Sequence, residues 1–583
     1  MHVLGLNAFH GDASACLVSD GRIVAAAEEE RFTRVKHWAG FPAKAIAYCL
    51  REGGLSLADV DRVAANHDPR AGFWPRVAFV LAHPPAPAAI LDRMRRRGRR
   101  ADLAVHFARA FGEGALLAPV EHVEHHESHL ASAYYGSRFE RAIALSVDGF
   151  GDFASAAWGL GERERLSVDG RVHFPHSLGI FYQALTQHLG FPHYGDEYKV
   201  MGLAPYGEPR HVEKVRRLLR LDPGGRFRLD LAYFRHASER IEFDWDDGSP
   251  RFGALFSDAL VELLGPARRP EDPVEAIHRD LARSVQAAYE EAFFHVVEGA
   301  QARYGATDLV LAGGCAQNSV ANGKLAARTR IRRTYVQAAA GDAGGALGAA
   351  LVCWARASGG ARPQPMDHAY WGPAFDDGAA GAALAGRSGE LAAAGCAEER
   401  FDDESALCAR VAGLVAEGRV VGWFQGRMEW GPRALGNRSV LADPRRADMK
   451  EVLNAKIKRR ESFRPFAPSI LREAVGDWFE VDADVPFMTQ VYPIRAEKRA
   501  AIPAVAHVDG SGRLQTVTMD SNPRYYRLIA SFGRLTGVPI LLNTSFNESE
   551  PIVCAPAEAL DCFLRTRMDV LVLGDRVVVR PQG

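Results

Sequence analysis

Short apolar runs separated by turn residues open the chain. Residues 2–8, 14–19 and 22–28 are rich in Val, Ala and Leu, and Ser19-Asp20-Gly21 divides the last two. Runs of this length bounded by Gly, Asp and Ser predict the strands of a meander. A helix is expected at about 42–52 and a buried strand at about 61–66. Val123-Glu124-His125-His126-Glu127-Ser128-His129-Leu130, continuing to Tyr135, predicts a helix that begins near the histidines. The apolar run 142–147 predicts a strand ending at Asp148, with another strand at about 154–160. Within 272–303, Ala276, Ile277, Leu281, Val285, Ala288 and Tyr289 recur at helical spacing, which predicts one long amphipathic helix. Residues 308–314 read as a buried strand running into glycines, then a helix through Asn318 and Ala321. Asp342 stands just before a further helix of small residues. Residues 356–368 have linker composition, and beyond them a helix at about 402–417 leads into a strand at 420–424.

A chain of 583 residues exceeds one ordinary core, so at least two domains are expected. Hydrophobic content of 47% and charged content of 25% are those of a globular protein in water. A net charge of −1 gives no argument for a nucleic-acid or membrane partner. The eight cysteines are scattered with no C-x-x-C pair, as expected of reduced thiols in a cytosolic enzyme. Met1 runs directly into the first apolar run, and no stretch reaches the length of a membrane span, so a cytoplasmic location is expected. The basic segment Arg93-Met94-Arg95-Arg96-Arg97-Gly98-Arg99-Arg100 is read as an exposed helical face rather than a nucleic-acid patch.

Candidate chemistry begins with the histidine helix. His125 and His129 lie four positions apart, so on a helix they project from one face, one turn apart. That spacing lets two neutral imidazoles bind one metal ion. Two imidazoles rarely hold an ion alone, and Asp148 and Asp342, each beside glycines, are the candidates to complete the set. Such an N2O2 shell suits Fe(II), Mn(II) or Zn(II), and ligand type alone does not choose among them. The competing reading has His126 and a neighbour capping a helix or lining a polar core. Gly313 and Gly314, between a strand and a helix, would place free amides at a helix start, which suits a phosphate. There is no G-x-x-x-x-G-K-[ST] and no clean G-x-G-x-x-G, so P-loop and dinucleotide readings lose support. In the last third, Arg and Lys crowd beside Gly, Asn and Ser, as a nucleotide triphosphate site requires. Phe463, Pro465, Phe466 and Pro468 interleave with these cations more regularly than a solvated basic face would.

Taken in order, the motifs resemble those of the O-carbamoyltransferase family that includes nodulation protein U and the cephalosporin-type hydroxymethyl carbamoyltransferases. The likeness runs over nearly the whole chain. It rests on Asn7-Ala8-Phe9-His10-Gly11-Asp12, Glu28-Glu29-Glu30-Arg31-Phe32 with Lys36-His37, the His125/His129 segment and Ser146-Val147-Asp148-Gly149. It continues through Lys199-Val200-Met201-Gly202-Leu203-Ala204-Pro205-Tyr206-Gly207 and Gly313-Gly314-Cys315-Ala316-Gln317-Asn318. The last part takes in Gly431-Pro432-Arg433-Ala434-Leu435-Gly436-Asn437-Arg438-Ser439, Phe463-Arg464-Pro465-Phe466-Ala467-Pro468 and Asn543-Thr544-Ser545-Phe546-Asn547.

The resemblance implies an α/β protein in two parts. Residues 1–356 would form a duplicated actin-like domain of the tRNA threonylcarbamoyltransferase type, and 357–399 a connector. Residues 400–583 would resemble threonylcarbamoyl-adenylate synthase. The C-terminal part would make carbamoyl adenylate from carbamoyl phosphate and ATP, with Mg(II), releasing pyrophosphate. The N-terminal part, with Fe(II) or another divalent ion, would move the carbamoyl group to the hydroxyl of a small-molecule acceptor and release AMP. Metal ligands would then fall on His125, His129, Asp148 and Asp342, and the acceptor-side base on His10, with Asp12 and Lys36 nearby. The adenylate-forming residues would be Lys458, Arg513 and Ser545. Nucleotide and phosphate contacts would come from Gly149, Gly313, Gly314, Asn318, Arg433, Arg464, Asn543 and Thr544.

The expected chemistry follows from the donor. A carbamoyl group is a poor electrophile because its nitrogen donates into the carbonyl, and a mixed anhydride with AMP supplies a good leaving group. The attacking alcohol must lose its proton, which a neutral histidine near its working pH can accept. Competing readings are an actin-like small-molecule kinase, a tRNA threonylcarbamoyl-type transferase and a non-catalytic nucleotide-binding scaffold. Neither the acceptor nor the oligomeric state follows from the sequence.

Overall fold

The computed structural model describes residues 1–82, 103–239, 243–244, 248–458, 460–461 and 463–581. The basic segment 93–100 lies outside the described residues. Two compact units divide the chain: Met1–Asn318 with Leu325–Met366, and Ser319–Lys324 with Asp367–Gly583.

The predicted meander is present in the first unit as β1 (His2–Asn7), β2 (Ser14–Ser19) and β3 (Arg22–Glu28). These strands are almost wholly buried, which explains their near-continuous Val, Ala and Leu. Helix α1 (Ala43–Gly53) packs on the meander, and β4 (Arg62–Ala65) and β5 (Val120–His122) follow. The sheet order is β3-β2-β1-β4-β5, with β1–β2 and β2–β3 antiparallel and β4 and β5 parallel to β1.

The same topology then recurs. β6 (Arg141–Gly151), β7 (Ala154–Glu162) and β8 (Gly170–His173) form a second meander. β9 (Asp308–Ala312) and β10 (Arg333–Val336) add to it on the far side. The order β8-β7-β6-β9-β10, antiparallel for three strands and parallel for the last two, repeats the first sheet, with a short strand Arg165–Leu166 also paired to β7. This internal repeat is the duplicated α/β, actin-like arrangement expected from the sequence.

Three helices of this unit position the site. α2 (His125–Gly136) is buried along eleven of its twelve residues, Glu127 excepted, so its chemistry-bearing side chains are fixed by packing on every side. The long helix appears as α3 (Ala276–Tyr304), closed by Gly305 in the left-handed region (φ +64°), whose amide donates to Gln301 O at 2.8 Å. α4 (Ala343–Ala357) is built of small residues because it lies almost against other backbone. A Cβ on Gly348 would fall 1.7 Å from Ser128 O, and one on Gly345 would fall 2.2 Å from Asn66 Nδ2.

The second unit is built on a nine-stranded mixed sheet. Its strands are β11 (Ala397–Arg400), β12 (Val421–Phe424), β13 (Arg438–Ala442), β14 (Ala467–Leu471), β15 (Gln490–Pro493), β16 (Ser511–Val517), β17 (Ile540–Ser545), β18 (Val570–Leu573) and β19 (Arg576–Val579). They run in the order β11-β19-β18-β12-β13-β17-β14-β16-β15. Helices α5 (Glu404–Ala416), α6 (Pro523–Thr536) and α7 (Pro556–Arg565) bury apolar faces in a core that includes Leu407, Val411, Trp423, Phe532, Ile540 and Phe563. Among the described residues, no helix is long and apolar enough to cross a membrane.

Candidate active site

His125 and His129 stand one turn apart on α2, both buried, and their Nε2 atoms approach to 3.0 Å. Asp148 reaches them from the end of β6, its Oδ2 lying 3.0 Å from His129 Nε2 and 3.5 Å from His125 Nε2. Asp342 precedes α4, yet its carboxylate does not cap that helix. It turns instead toward both imidazoles, Oδ1 at 3.6 Å from each Nε2. The four ligand atoms all lie within 4.8 Å of one another.

These residues fit a cation. Neutral imidazoles and carboxylates present only lone pairs to the space between them, so the cluster is short of positive charge. The ionisation of the four groups reflects that shortage. Burial alone would push His129 down, but Asp148 and Asp342 outweigh it and bring it up to about 9. Burial pushes Asp342 up, reinforced by Asp148, while burial of Asp148 is outweighed by the two histidines, which hold it well below the carboxylate range. A divalent ion would supply the missing charge and leave both rings neutral. Among the described residues neither His125 Nδ1 nor His129 Nδ1 has a hydrogen-bond partner, so packing orients the rings. A Cβ on Gly151 would lie 2.0 Å from His125 Cδ2, which shows how closely that packing fits. His126 is a core histidine: its Nδ1 pairs with Ser146 Oγ at 3.0 Å, and burial pushes it down to about 4.

Around the cluster lies a shell that sequence reasoning identified only in part. The half-buried ring of His10 stands 5.6 Å from that of His125 and 6.2 Å from that of His67. Asp152 pairs with His67, and its Oδ2 accepts from the backbone amides of His125 (2.9 Å) and Asp68 (2.8 Å). Those contacts outweigh burial and hold Asp152 at about 2. Asp12 pairs with His37 Nδ1 at 2.7 Å, and Glu30 Oε2 accepts from the His37 amide at 2.7 Å. Burial would lower His37, but Asp12 prevails and raises it to about 8. Lys36 is exposed, and the next residue, His37, pairs with Asp12. The pairs His67–Asp152 and His37–Asp12 join residues 85 and 25 positions apart, separations that carry no local sequence signal.

At Gly313 the glycine cradle differs from the expectation. Gly313 takes φ +87° and presses on β6, where a Cβ would meet Val147 O at 2.3 Å, and its amide donates to Ala340 O at 2.7 Å. The Gly149 amide likewise goes to Asp148 Oδ1 at 2.7 Å. These two donors are committed within the protein rather than presented to a phosphate. The helix expected through Asn318 is broken into a 3₁₀ turn (Gly314–Gln317) and a short helix (Ser319–Gly323). Asn318 exchanges two hydrogen bonds with Gln286 of α3 (3.0 and 3.1 Å).

In the second unit, cations gather instead. Packing around Arg513, together with the charges of Arg433, Arg464 and Arg460, pushes its guanidinium well below the arginine range. Guanidinium does not give up its proton in proteins, so this crowding is a strain that a bound anion would relieve. Arg460, absent from the expected set, also lies over the Phe466 ring at 4.6 Å. Lys458 is buried, and its Nζ donates to Ser545 O (2.6 Å), Asn547 O (2.7 Å) and Asn547 Oδ1 (2.7 Å), with Ser545 Oγ at 3.3 Å. Asn543 is buried, and its amide contacts Ser469 Oγ, Gln515 Oε1 and Ala434 O at 2.9–3.2 Å, so it braces the sheet. Thr544, half-buried, faces Val440 across β13 and β17. The loop carrying Arg433 is organised by Glu429, whose Oε1 accepts from the amides of Leu435, Asn437 and Arg438 at 2.7–3.1 Å.

Residues 2–351 match the model of the carbamoyltransferase N-terminus, and residues 412–580 match that of the carbamoyltransferase C-terminus. The chain belongs to the carbamoyltransferase family. It is 39% identical to nodulation protein NolNO of Sinorhizobium fredii over 98% of this chain and 79% of that protein. It is 30% identical to the 3'-hydroxymethylcephem-O-carbamoyltransferase of Amycolatopsis lactamdurans, over 68% and 67% of the two chains. HypF of T. kodakarensis, a solved structure, is 11% identical with a TM-score of 0.31, covering 62% of this carbamoyltransferase and 48% of HypF. The protein is an enzyme of the carbamoyl-transferring class, and the non-catalytic scaffold reading falls with that finding.

Proposed function

We propose that this carbamoyltransferase works in two steps, first forming carbamoyl adenylate from carbamoyl phosphate, water and ATP with release of phosphate and pyrophosphate, and then passing the carbamoyl group to the hydroxyl of a small-molecule acceptor. Residues 400–583 carry the first step, in which Arg433, Arg464 and Arg513 hold the phosphates and Lys458 fixes Ser545 beside them. Residues 1–356 carry the second. The acceptor oxygen attacks the carbamoyl carbon, the bond to the adenylate phosphate breaks, and AMP leaves with the electron pair. His10 takes the acceptor's proton. A divalent ion, Fe(II) by family likeness, would be held by His125, His129, Asp148 and Asp342 and would act as a Lewis acid toward charge developing on oxygen.

The observation that carries this reading is the convergence of those four ligand atoms, from three separated parts of the chain, within 4.8 Å. A kinase has no use for two imidazoles facing two carboxylates. The test is incubation with ATP and Mg(II), labelled carbamoyl phosphate, Fe(II), and glycerol, N-acetylglucosamine and 3'-hydroxymethylcephem as acceptors. Pyrophosphate and AMP are expected, with label in an acceptor. ADP with a phosphorylated acceptor would establish the kinase instead.

A further inference from the structure

Two glycines let two loops of the first unit close on each other around a side chain that the chemistry above leaves unused. A Cβ on Gly11 would lie 2.7 Å from the Tyr194 hydroxyl, and a Cβ on Gly195 (φ +83°) would lie 2.7 Å from His37 Nε2. The Tyr194 ring meets His37 edge-on at 5.1 Å and Phe252 edge-on at 6.0 Å. Its oxygen therefore rests against the backbone between His10 and Asp12, the same Asp12 that pairs with His37 at 2.7 Å. No side chain larger than hydrogen fits at either glycine without moving this tyrosine or that histidine.

We propose that Tyr194 is a catalytic residue of the transfer step, its O–H donating a hydrogen bond to the attacking oxygen of the acceptor and holding that oxygen against His10. The inference rests on the reading that this unit performs the transfer. A phenol keeps its proton at neutral pH, so it remains a donor and does not compete for the proton. An alcohol oxygen has two lone pairs and one hydrogen. One lone pair accepts from Tyr194, the other attacks the carbamoyl carbon, and the hydrogen goes to His10 as AMP departs.

The experiment compares wild type, Tyr194→Phe and Gly11→Ala, each loaded with Fe(II). Pyrophosphate release from ATP and carbamoyl phosphate is measured separately from carbamoyl transfer. The acceptor probe is whichever of glycerol, N-acetylglucosamine and 3'-hydroxymethylcephem the wild type carbamoylates. With none of them, water is the acceptor and AMP release from pre-formed carbamoyl adenylate is read. Tyr194→Phe is expected to lower kcat for transfer about tenfold or more, the loss of one hydrogen bond made during reaction, with pyrophosphate release unchanged. Gly11→Ala, which displaces the same hydroxyl, should reproduce the split. Transfer by Tyr194→Phe within twofold of wild type would overturn the assignment, and so would an equal loss of both half-reactions, which marks a structural residue. Absence of pyrophosphate release from the wild type would instead overturn the two-step reading on which the inference rests.

Discussion

The two units hold clusters of opposite electrical character. In the first, two imidazoles and two carboxylates crowd their lone pairs together and lack a positive charge. In the second, Arg433, Arg460 and Arg464 crowd their positive charges around Arg513, with Glu461 3.7 Å from Arg464. Each is costly alone, because like groups held close in a partly desolvated setting repel. A fold tolerates such arrangements where a ligand completes them. Under the proposed function the first would take a cation and the second phosphates.

The sharpest way to break that contrast is to remove a ligand from the first cluster alone. His129→Ala should abolish stoichiometric metal, read by elemental analysis, and lower transfer on the order of a thousandfold while pyrophosphate release persists. Loss of pyrophosphate release as well would refute the division of labour. The mirror experiment is Arg513→Ala, expected to lower pyrophosphate release on the order of a hundredfold with metal content unchanged. Gly151→Ala tests the packing that aims His125: its methyl displaces a ring only 2.0 Å away, so metal affinity should fall about 10–100-fold in a protein that still folds. An unchanged affinity would show that the ring is not aimed by that contact.

The smallest effect concerns pH. Asp12 raises His37 to about 8 against an ordinary 6.5, so the folded state binds this proton more tightly than the unfolded chain does. The resulting stabilisation is fully present below about pH 6.5 and is lost as pH climbs through 8. Asp12→Asn should remove it, about 2 kcal/mol, flattening the dependence of thermal unfolding between pH 6 and 9. An unaltered slope would show that the pair contributes nothing to folding.

What could be read in advance was whatever a short stretch encodes. The spacing of His125 and His129 fixes their common face on any helix, and the strand ending at Asp148 was visible from its apolar run. Asp342 was legible from its glycines, though not the fact that its carboxylate turns away from the helix it precedes. Residues that act through distant partners carried no such mark. Asp152 looks like one more turn aspartate until its bonds to His125 and Asp68 are seen. The Gly313–Gly314 pair reads as a phosphate cradle because a strand–glycine–helix pattern is local. The Gly313 amide is already committed to Ala340, and only tertiary packing decides that. Lys36 enters only through the family resemblance, and the pairing of the next residue, His37, with Asp12 is visible only in the fold. In the second unit the density of arginines was plain, but not that Arg460 stacks on Phe466 and adds its charge to the group.

The repeated topology of the first unit has one last consequence. The tip between β1 and β2 carries His10 and Asp12, and the tip between β6 and β7 carries Asp152, with Asp148 three residues before the end of β6. In the repeat these are one and the same bend, and each bends through two non-glycine residues at positive φ, Phe9 and Asp12 in one, Asp152 and Phe153 in the other. A single architectural corner, used twice, thus sets the proposed proton acceptor, His10, beside one copy and the candidate ion-holding acid, Asp148, beside the other.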